Sequence, residues 1–189
     1  MVDFQHDIDQ CLEVLRNGGL ILYPTDTVWG IGCDATNAKA VEKIYQLKKR
    51  PDEKAMIVLV ADEKEVLQHV ANPDLQLFDH LKKTTKPTTV IYEGAIGFAR
   101  NLLGKDGTIA IRICGDQFCK HLIKRFRKPV VSTSANISGQ AVAKIFTEIN
   151  EEIKNGVDYV VKFRQDDQTI AEPSSIIKWS KGSVIVIRP

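Results

Sequence analysis

The sequence predicts an α/β fold, a single-domain twisted open mixed sheet with flanking helices. Two observations carry this expectation. Short apolar runs of strand length alternate with segments whose apolar residues recur at helical spacing, and no internal repeat, low-complexity tract or linker divides the 189 residues. At 43% hydrophobic the chain is long enough to bury one core and short for two, so residues 1–189 read as one domain.

Taken in order, Ile8, Cys11, Leu12 and Leu15 share a helical face and Gly18-Gly19 supplies a stop, which predicts a helix from about residue 7 to 17. Leu20-Ile21-Leu22-Tyr23 is a continuous apolar run of the buried-strand kind, ended by Pro24. Asn37 caps a helix over Val41, Ile44, Tyr45 and Lys48 that stops before Pro51, leaving Lys48 and Arg50 at its exit. Met56-Ile57-Val58-Leu59-Val60 is a second buried strand, and Asp62 with Glu65 three residues on opens a helix in capping-box form. Pro73-Asp74 begins a short helix over Leu77, Phe78 and Leu81. Thr88-Thr89-Val90-Ile91-Tyr92 is rich in β-formers. Gly94, Gly97, Gly104 and Gly107 punctuate the longest irregular segment, expected to be a mobile loop. Ile109 to Ile113 forms a strand, Phe118, Leu122, Ile123 and Phe126 a helix face, and Val130-Val131 a strand running into Ser132-Thr133-Ser134. Tyr159-Val160-Val161, Ser175-Ile176-Ile177 and Val184 to Ile187 complete the set.

The formal net charge of +2 is too mild to argue for or against nucleic acid. Lys120, Lys124, Arg125, Arg127 and Lys128 crowd one segment, which reads as a solvated helix face with a phosphate-binding patch as the alternative. Four cysteines without a C-x-x-C pair, and four histidines without ligand spacing, speak against structural zinc. The first residues lack a basic-then-apolar signal pattern, and no apolar run reaches membrane-spanning length. The four thiols are therefore expected to be reduced and the protein cytoplasmic.

The chemistry sits in the loops. There is no G-x-x-x-x-G-K-[ST] and no G-x-G-x-x-G opening a helix, so recognition of a nucleotide has to come from side chains. Lys48, Arg50, Lys54, Arg112 and Arg188 lie at strand ends or helix exits, where several could converge on phosphate oxygens. Arg112, inside the run Ile109-Ala110-Ile111-Arg112-Ile113, is costly to bury without an anion. That anion is either a structural carboxylate or a ligand. Thr25 and Thr27 offer hydroxyls after Pro24, and Ser132, Ser134 and Asn136 alternate in the same way. The serine loop lacks the G-x-S-x-G elbow and no histidine is near in sequence, so these hydroxyls suit binding better than nucleophilic attack.

These residues resemble the YrdC/TsaC family of threonylcarbamoyl-AMP synthases along nearly the whole chain. Pro24-Thr25-Asp26-Thr27-Val28-Trp29-Gly30 looks like its P-T-[ED]-T-x-[YW]-G, and Lys48-Lys49-Arg50-Pro51 like its K-x-R-P. Thr108 to Arg112 looks like its arginine-bearing strand, Ser132 to Gly139 like its S-A-N-x-S-G loop, Pro173 to Ile177 like its S-T-[IV]-[IV] strand, and Ile187-Arg188-Pro189 like its terminal R-P. The resemblance implies a basic concave face and a nucleotidyltransferase that makes threonylcarbamoyl-AMP and pyrophosphate from L-threonine, bicarbonate and ATP with Mg²⁺, the first step toward threonylcarbamoyladenosine in tRNA. It implies that Thr27, Arg112, Ser132 and Ser174 hold threonine, and that Lys48, Arg50, Lys54, Thr108, Ser134, Asn136 and Arg188 hold ATP. Lys48, Arg50 and Arg112 would act by positioning and charge, with no protein nucleophile; Asp26 is a conceivable contributor to metal or water organisation. Downstream tRNA threonylcarbamoyl-transfer proteins, and a direct contact of tRNA with the basic face, follow as expected partners.

The chain departs from the family pattern at Lys54, at Leu59 where many members carry histidine, at Thr84-Thr85-Lys86-Pro87, and at Val142 where a serine is usual. Two alternatives accompany the synthase: an RNA-binding or ribosome-maturation module of the same fold, and a paralogue with another amino-acid or carbamoyl substrate. The first is opposed by the lack of clustered aromatics for base stacking.

Overall fold

The computed structural model describes residues 4–50, 56–180 and 182–189. Among these residues nine strands form one mixed sheet in the order β7-β1-β2-β6-β3-β5-β4-β8-β9. The strands are β1 (Ile21–Tyr23), β2 (Gly30–Gly32), β3 (Ile57–Val60), β4 (Thr88–Tyr92), β5 (Ile109–Ile113), β6 (Val130–Ser134), β7 (Tyr159–Val160), β8 (Ser175–Ser180) and β9 (Ser183–Arg188). Helices α1 (Gln5–Arg16), α2 (Ala38–Leu47), α3 (Glu63–His69), α4 (Gln76–Lys83), α5 (Gln117–Phe126) and α6 (Glu151–Asn155) connect them. Pairs β1–β7, β3–β5 and β4–β8 are parallel and the other five antiparallel, so the expected mixed α/β sheet is what forms.

Local signals act as read. Asn37 accepts hydrogen bonds from the Lys39 and Ala40 amides and so starts α2, and Asp62 accepts from the Glu65 amide to start α3. The Glu65 carboxylate returns one residue earlier than a capping box requires, to the Ala61 amide at 2.8 Å. Strand β2 was not foreseen, because Gly-Ile-Gly has no β-former beside Ile31; β6 and β1 recruit it by pairing on either side. Helix α6 is likewise set by its Asn150 cap and by burial of Ile153. The glycine-punctuated segment is anchored, in contrast to the loop expected there. Ala71 donates to the Gly94 carbonyl, Ile96 to His69 and Ala99 to Ala35, and Leu102 is wholly buried in a short 3-10 turn.

The period of two divides the sheet's faces. Leu59 pairs with Arg112 on one side and Val130 on the other; Thr89 pairs with Ile176, which pairs with Arg188. Extending the β4–β5 register by one residue brings Thr89 beside Arg112, so Arg112 and Arg188 share a face. Ile111, Val90 and Ile177 turn to the opposite face and into the core. Beyond it, α1 and α5 pack together, and Phe4, Phe118 and Phe163 meet edge-on, tilted or stacked at 5.2–5.9 Å. No helix is long and apolar enough to cross a membrane among the described residues.

Candidate active site

The arginine face carries a cavity of ≈ 180 Å³ at the middle of the sheet. Arg50, Arg112 and Arg188 line it with the hydroxyls of Thr27, Ser132, Thr133, Ser134 and Ser174, and apolar contact comes from Trp29, Ile57, Val142 and Ile176. No carboxylate is among its described lining residues. Arg112 takes its carboxylate partner, Asp26, from outside the lining, and a wall that gathers three guanidiniums has the chemistry to receive an anion.

Arg112 is 3% exposed. Its Nη2 lies 3.0 Å from Asp26 Oδ1 and donates to Thr27 Oγ1 at 3.1 Å, while Nε is buried without a partner. Both readings of its anion thus have support: a structural carboxylate holds one edge of the guanidinium, and another edge still requires an acceptor. Asp26 is fixed in turn by the Gly115 amide, which donates to Oδ2 at 2.9 Å. Hydrogen counting orients the hydroxyls. Thr25 Oγ1 donates to the Val28 carbonyl at 2.8 Å and accepts from the Thr27 amide at 3.0 Å. Its single proton is then committed, so at the 3.0 Å contact between the hydroxyls Thr27 is the donor and Thr25 the acceptor. Thr27 thus receives from Arg112 and retains a lone pair.

Ser174, 1% exposed, joins Thr89 Oγ1 at 2.8 Å, and its carbonyl accepts from Arg188 Nε and Nη2 at 3.0 and 2.7 Å. Burial and the neighbouring Arg112 charge both lower the Arg188 pKa, and burial lowers that of Arg50; an anion between these groups relieves both effects. Gly30 and Gly32 let the strands approach. A Cβ on Gly30 would stand 2.9 Å from Ser132 Oγ, and one on Gly32 would meet Tyr23 Cε1 at 2.6 Å and the Val131 carbonyl at 2.8 Å.

Lys48 does not line the cavity. It is 1% exposed, and its ammonium donates to the Ser134 carbonyl, to the Asn136 carbonyl at 2.7 Å and to Asn136 Oδ1 at 3.3 Å. Burial first, and the Arg50 charge second, bring its pKa down to about 7. Asn136 is equally engaged: Oδ1 accepts from Ser134 Oγ at 2.6 Å and Nδ2 donates to the Gln140 carbonyl at 2.8 Å. These two residues hold the serine loop instead of facing a ligand. Thr108 also lies outside the cavity lining, its hydroxyl donating to Asp106 at 2.7 Å. Lys54 lies outside the described residues.

Of the residues singled out from sequence, then, Thr27, Arg50, Arg112, Ser132, Ser134, Ser174 and Arg188 come together. The apolar wall of Trp29, Ile57 and Ile176 was missed as a site feature, since each reads equally well as core. Leu59 is fully buried beside Arg112, and Val142 stands in the wall. The basic 120–128 segment is largely paired: Arg125 with Asp9 at 2.8 Å, Lys128 with Asp34 at 2.7 Å and Lys124 with Asp62 at 4.0 Å.

The Sua5/YciO/YrdC family model, described as "Telomere recombination", matches residues 13–189. The chain belongs to this family. It is 34% identical over 164 residues to the threonylcarbamoyl-AMP synthase of Idiomarina loihiensis, covering 84% of this chain and 86% of that one. With the enzyme of the same name from Pseudoalteromonas translucida it shares 32% over 183 residues, 95% and 97% of the two chains. Among solved structures, P. abyssi Sua5 complexed with L-threonine superposes with a TM-score of 0.87 at 21% identity. The match covers the whole of this chain and 55% of that one, a likeness of fold. That structure shares the fold on which this family member assembles its arginine pocket.

Proposed function

We propose that this family member is a threonylcarbamoyl-AMP synthase, a nucleotidyltransferase converting L-threonine, bicarbonate and ATP to threonylcarbamoyl-AMP and pyrophosphate. The observation that carries the reading is the cavity walled by three guanidiniums and five hydroxyls with no carboxylate among its described lining residues, in a chain whose relatives bear that name. The threonine nitrogen bonds to the bicarbonate carbon with loss of water. An oxygen of the resulting carbamate then attacks the α-phosphorus, and the bond to the β-phosphate breaks. No protein nucleophile enters, so rate comes from holding the reactants in line and from fixed positive charge on the leaving pyrophosphate.

In this reading Arg112, Thr27, Ser132 and Ser174 hold threonine, with its carboxylate at the unpartnered Nε of Arg112. Arg50 and Arg188 hold phosphate oxygens, together with Lys54, while Lys48, Asn136 and Ser134, whose proton goes to Asn136 Oδ1, keep the serine loop in place. A cavity of ≈ 180 Å³ is smaller than the roughly 300–1,000 Å³ that drug-sized ligands occupy, so it takes the reacting centre and leaves the nucleoside outside. Mg²⁺ enters on the ATP phosphates: the Asp26 charge is already balanced by Arg112 and its Oδ2 taken by the Gly115 amide, and Mg²⁺ is commonly held through substrate phosphates and water. The product passes to a tRNA threonylcarbamoyl-transfer protein. Four buried free thiols accord with a cytoplasmic setting.

The test is pyrophosphate release from ATP with a panel of amino acids, with and without bicarbonate. Release that requires threonine and bicarbonate supports the synthase. Release with another amino acid or a carbamoyl donor identifies a paralogous substrate, and no release overturns the enzyme reading.

A further inference from the structure

We infer that Arg164, outside every motif named above, is a positioning residue that holds the Thr25–Thr27 loop for the amino-acid substrate. The inference rests on the synthase reading. Arg164 Nη1 pairs with Asp116 Oδ2 at 2.8 Å and Nη2 donates to the Thr25 carbonyl at 2.7 Å. Charge-assisted bonds of this length are the strong ones, and a guanidinium can make two at a fixed angle. The acceptor is a backbone atom one residue before Asp26 and two before Thr27, the residues that touch Arg112.

Each end of this clamp is itself held. Asp116 caps α5, its Oδ1 accepting from the Cys119 amide at 2.9 Å, so the anion that orients Arg164 belongs to a packed helix. On the other side Asp7, buried in α1, accepts the amides of Lys162 and Phe163 at 3.0 and 2.9 Å. Its Oδ1 also takes the Tyr159 hydroxyl at 2.6 Å. The backbone is thereby fixed up to the residue before Arg164, which adopts φ +66°. A left-handed arginine is unfavourable by itself and persists where its surroundings determine it. The same loop is caught by Cys119 Sγ on the Pro24 carbonyl at 3.3 Å and by the Gly115 amide on Asp26. Helix α5 and Arg164 thus grip the outer side of a loop whose inner side presents Thr27 to the cavity. Arg50 and Arg188, on the phosphate side, follow α2 and end β9 and owe nothing to this clamp.

Removal of the clamp therefore separates the two substrates. Arg164→Met is expected to raise KM for L-threonine by about tenfold and leave KM for ATP within about twofold, the loss of one or two charge-assisted bonds. Arg164→Lys, which keeps one charged donor, recovers part of the loss. Asp116→Asn keeps the Oδ1 cap of α5 and removes the anion, and is expected to fall between wild type and Arg164→Met; it also serves if Arg164→Met folds poorly. Hydrogen exchange without substrate tests the anchor independently: the amides of residues 25–28 should speed up while those of β6 do not. Unchanged exchange at 25–28, or equal rises of both KM values with faster exchange throughout, overturns the inference. Selectively faster exchange at 25–28 in Arg164→Met, together with a wild-type chain that turns over no threonine, overturns the substrate reading and leaves the anchor standing.

Discussion

Arg112 and Asp26 meet at 3.0 Å, yet each keeps an unsatisfied atom: Arg112 Nε and Asp26 Oδ1 are buried without a hydrogen bond among the described residues. The pair supplies charge balance without full hydrogen bonding, which primes the guanidinium for a second anion.

Arg112→Met should accordingly destabilise the apo protein. It strands Asp26, and breaking a buried pair costs about 3–5 kcal/mol; the low end applies because Asp26 keeps the Gly115 amide. Arg112→Met combined with Asp26→Asn should recover most of the loss. Thermal melts with and without L-threonine check both points: the threonine-induced rise in Tm should vanish in either variant, and a retained rise would remove Arg112 from the substrate site.

Lys48 gives a pH signature. Its ordinary value of 10.5 is brought to about 7 in the folded chain by burial and by Arg50. Between those limits the unfolded chain binds more protons than the folded one, so the Lys48 contribution to stability rises with pH across that window and is flat below it. Melts from about pH 6 to pH 10 should show wild type gaining on Lys48→Met above neutrality. A difference independent of pH would mean that Lys48 remains charged throughout.

Arg50→Ala should weaken nucleotide more than threonine. One charge-assisted contact to phosphate corresponds to roughly ten- to a hundredfold in affinity. Calorimetric titration with ATP is the measurement, and unchanged affinity would exclude a phosphate contact.

The two strand glycines should part company. Gly32→Ala pushes Cβ against the Val131 carbonyl and the Tyr23 ring, overpacking expected to cost about 1–3 kcal/mol. Gly30→Ala meets only a hydroxyl that can rotate, so its fold should persist while threonine binding suffers from the displaced Ser132. Denaturant midpoints alongside threonine titrations separate these outcomes, and similar effects of the two substitutions would contradict the division.

Much of this molecule was legible from its residues alone. The strands at Ile57–Val60, Thr88–Tyr92 and Ile109–Ile113 and the caps Asn37 and Asp62 announce themselves because burial periodicity and capping are local properties. Arg112 could be singled out as an arginine needing an anion, since the cost of burying a charge does not depend on knowing the fold. The hydroxyl loops and the family's motifs were equally visible.

What each charge does was decided only in three dimensions. Lys48 and Arg50 look interchangeable at a helix exit, but Lys48 is turned inward by carbonyls 86 and 88 residues away and becomes a brace, while Arg50 faces the cavity. Asp26 acquires its partner from a strand 86 residues on, and Arg164 reaches back 139 residues to the Thr25 carbonyl. Strand β2 exists because β1 and β6 offer ladders on both sides. A sequence states which groups must be satisfied. Chain topology, by bringing distant donors and acceptors within 3 Å or so of one another, decides which partner satisfies them and which are left for a substrate.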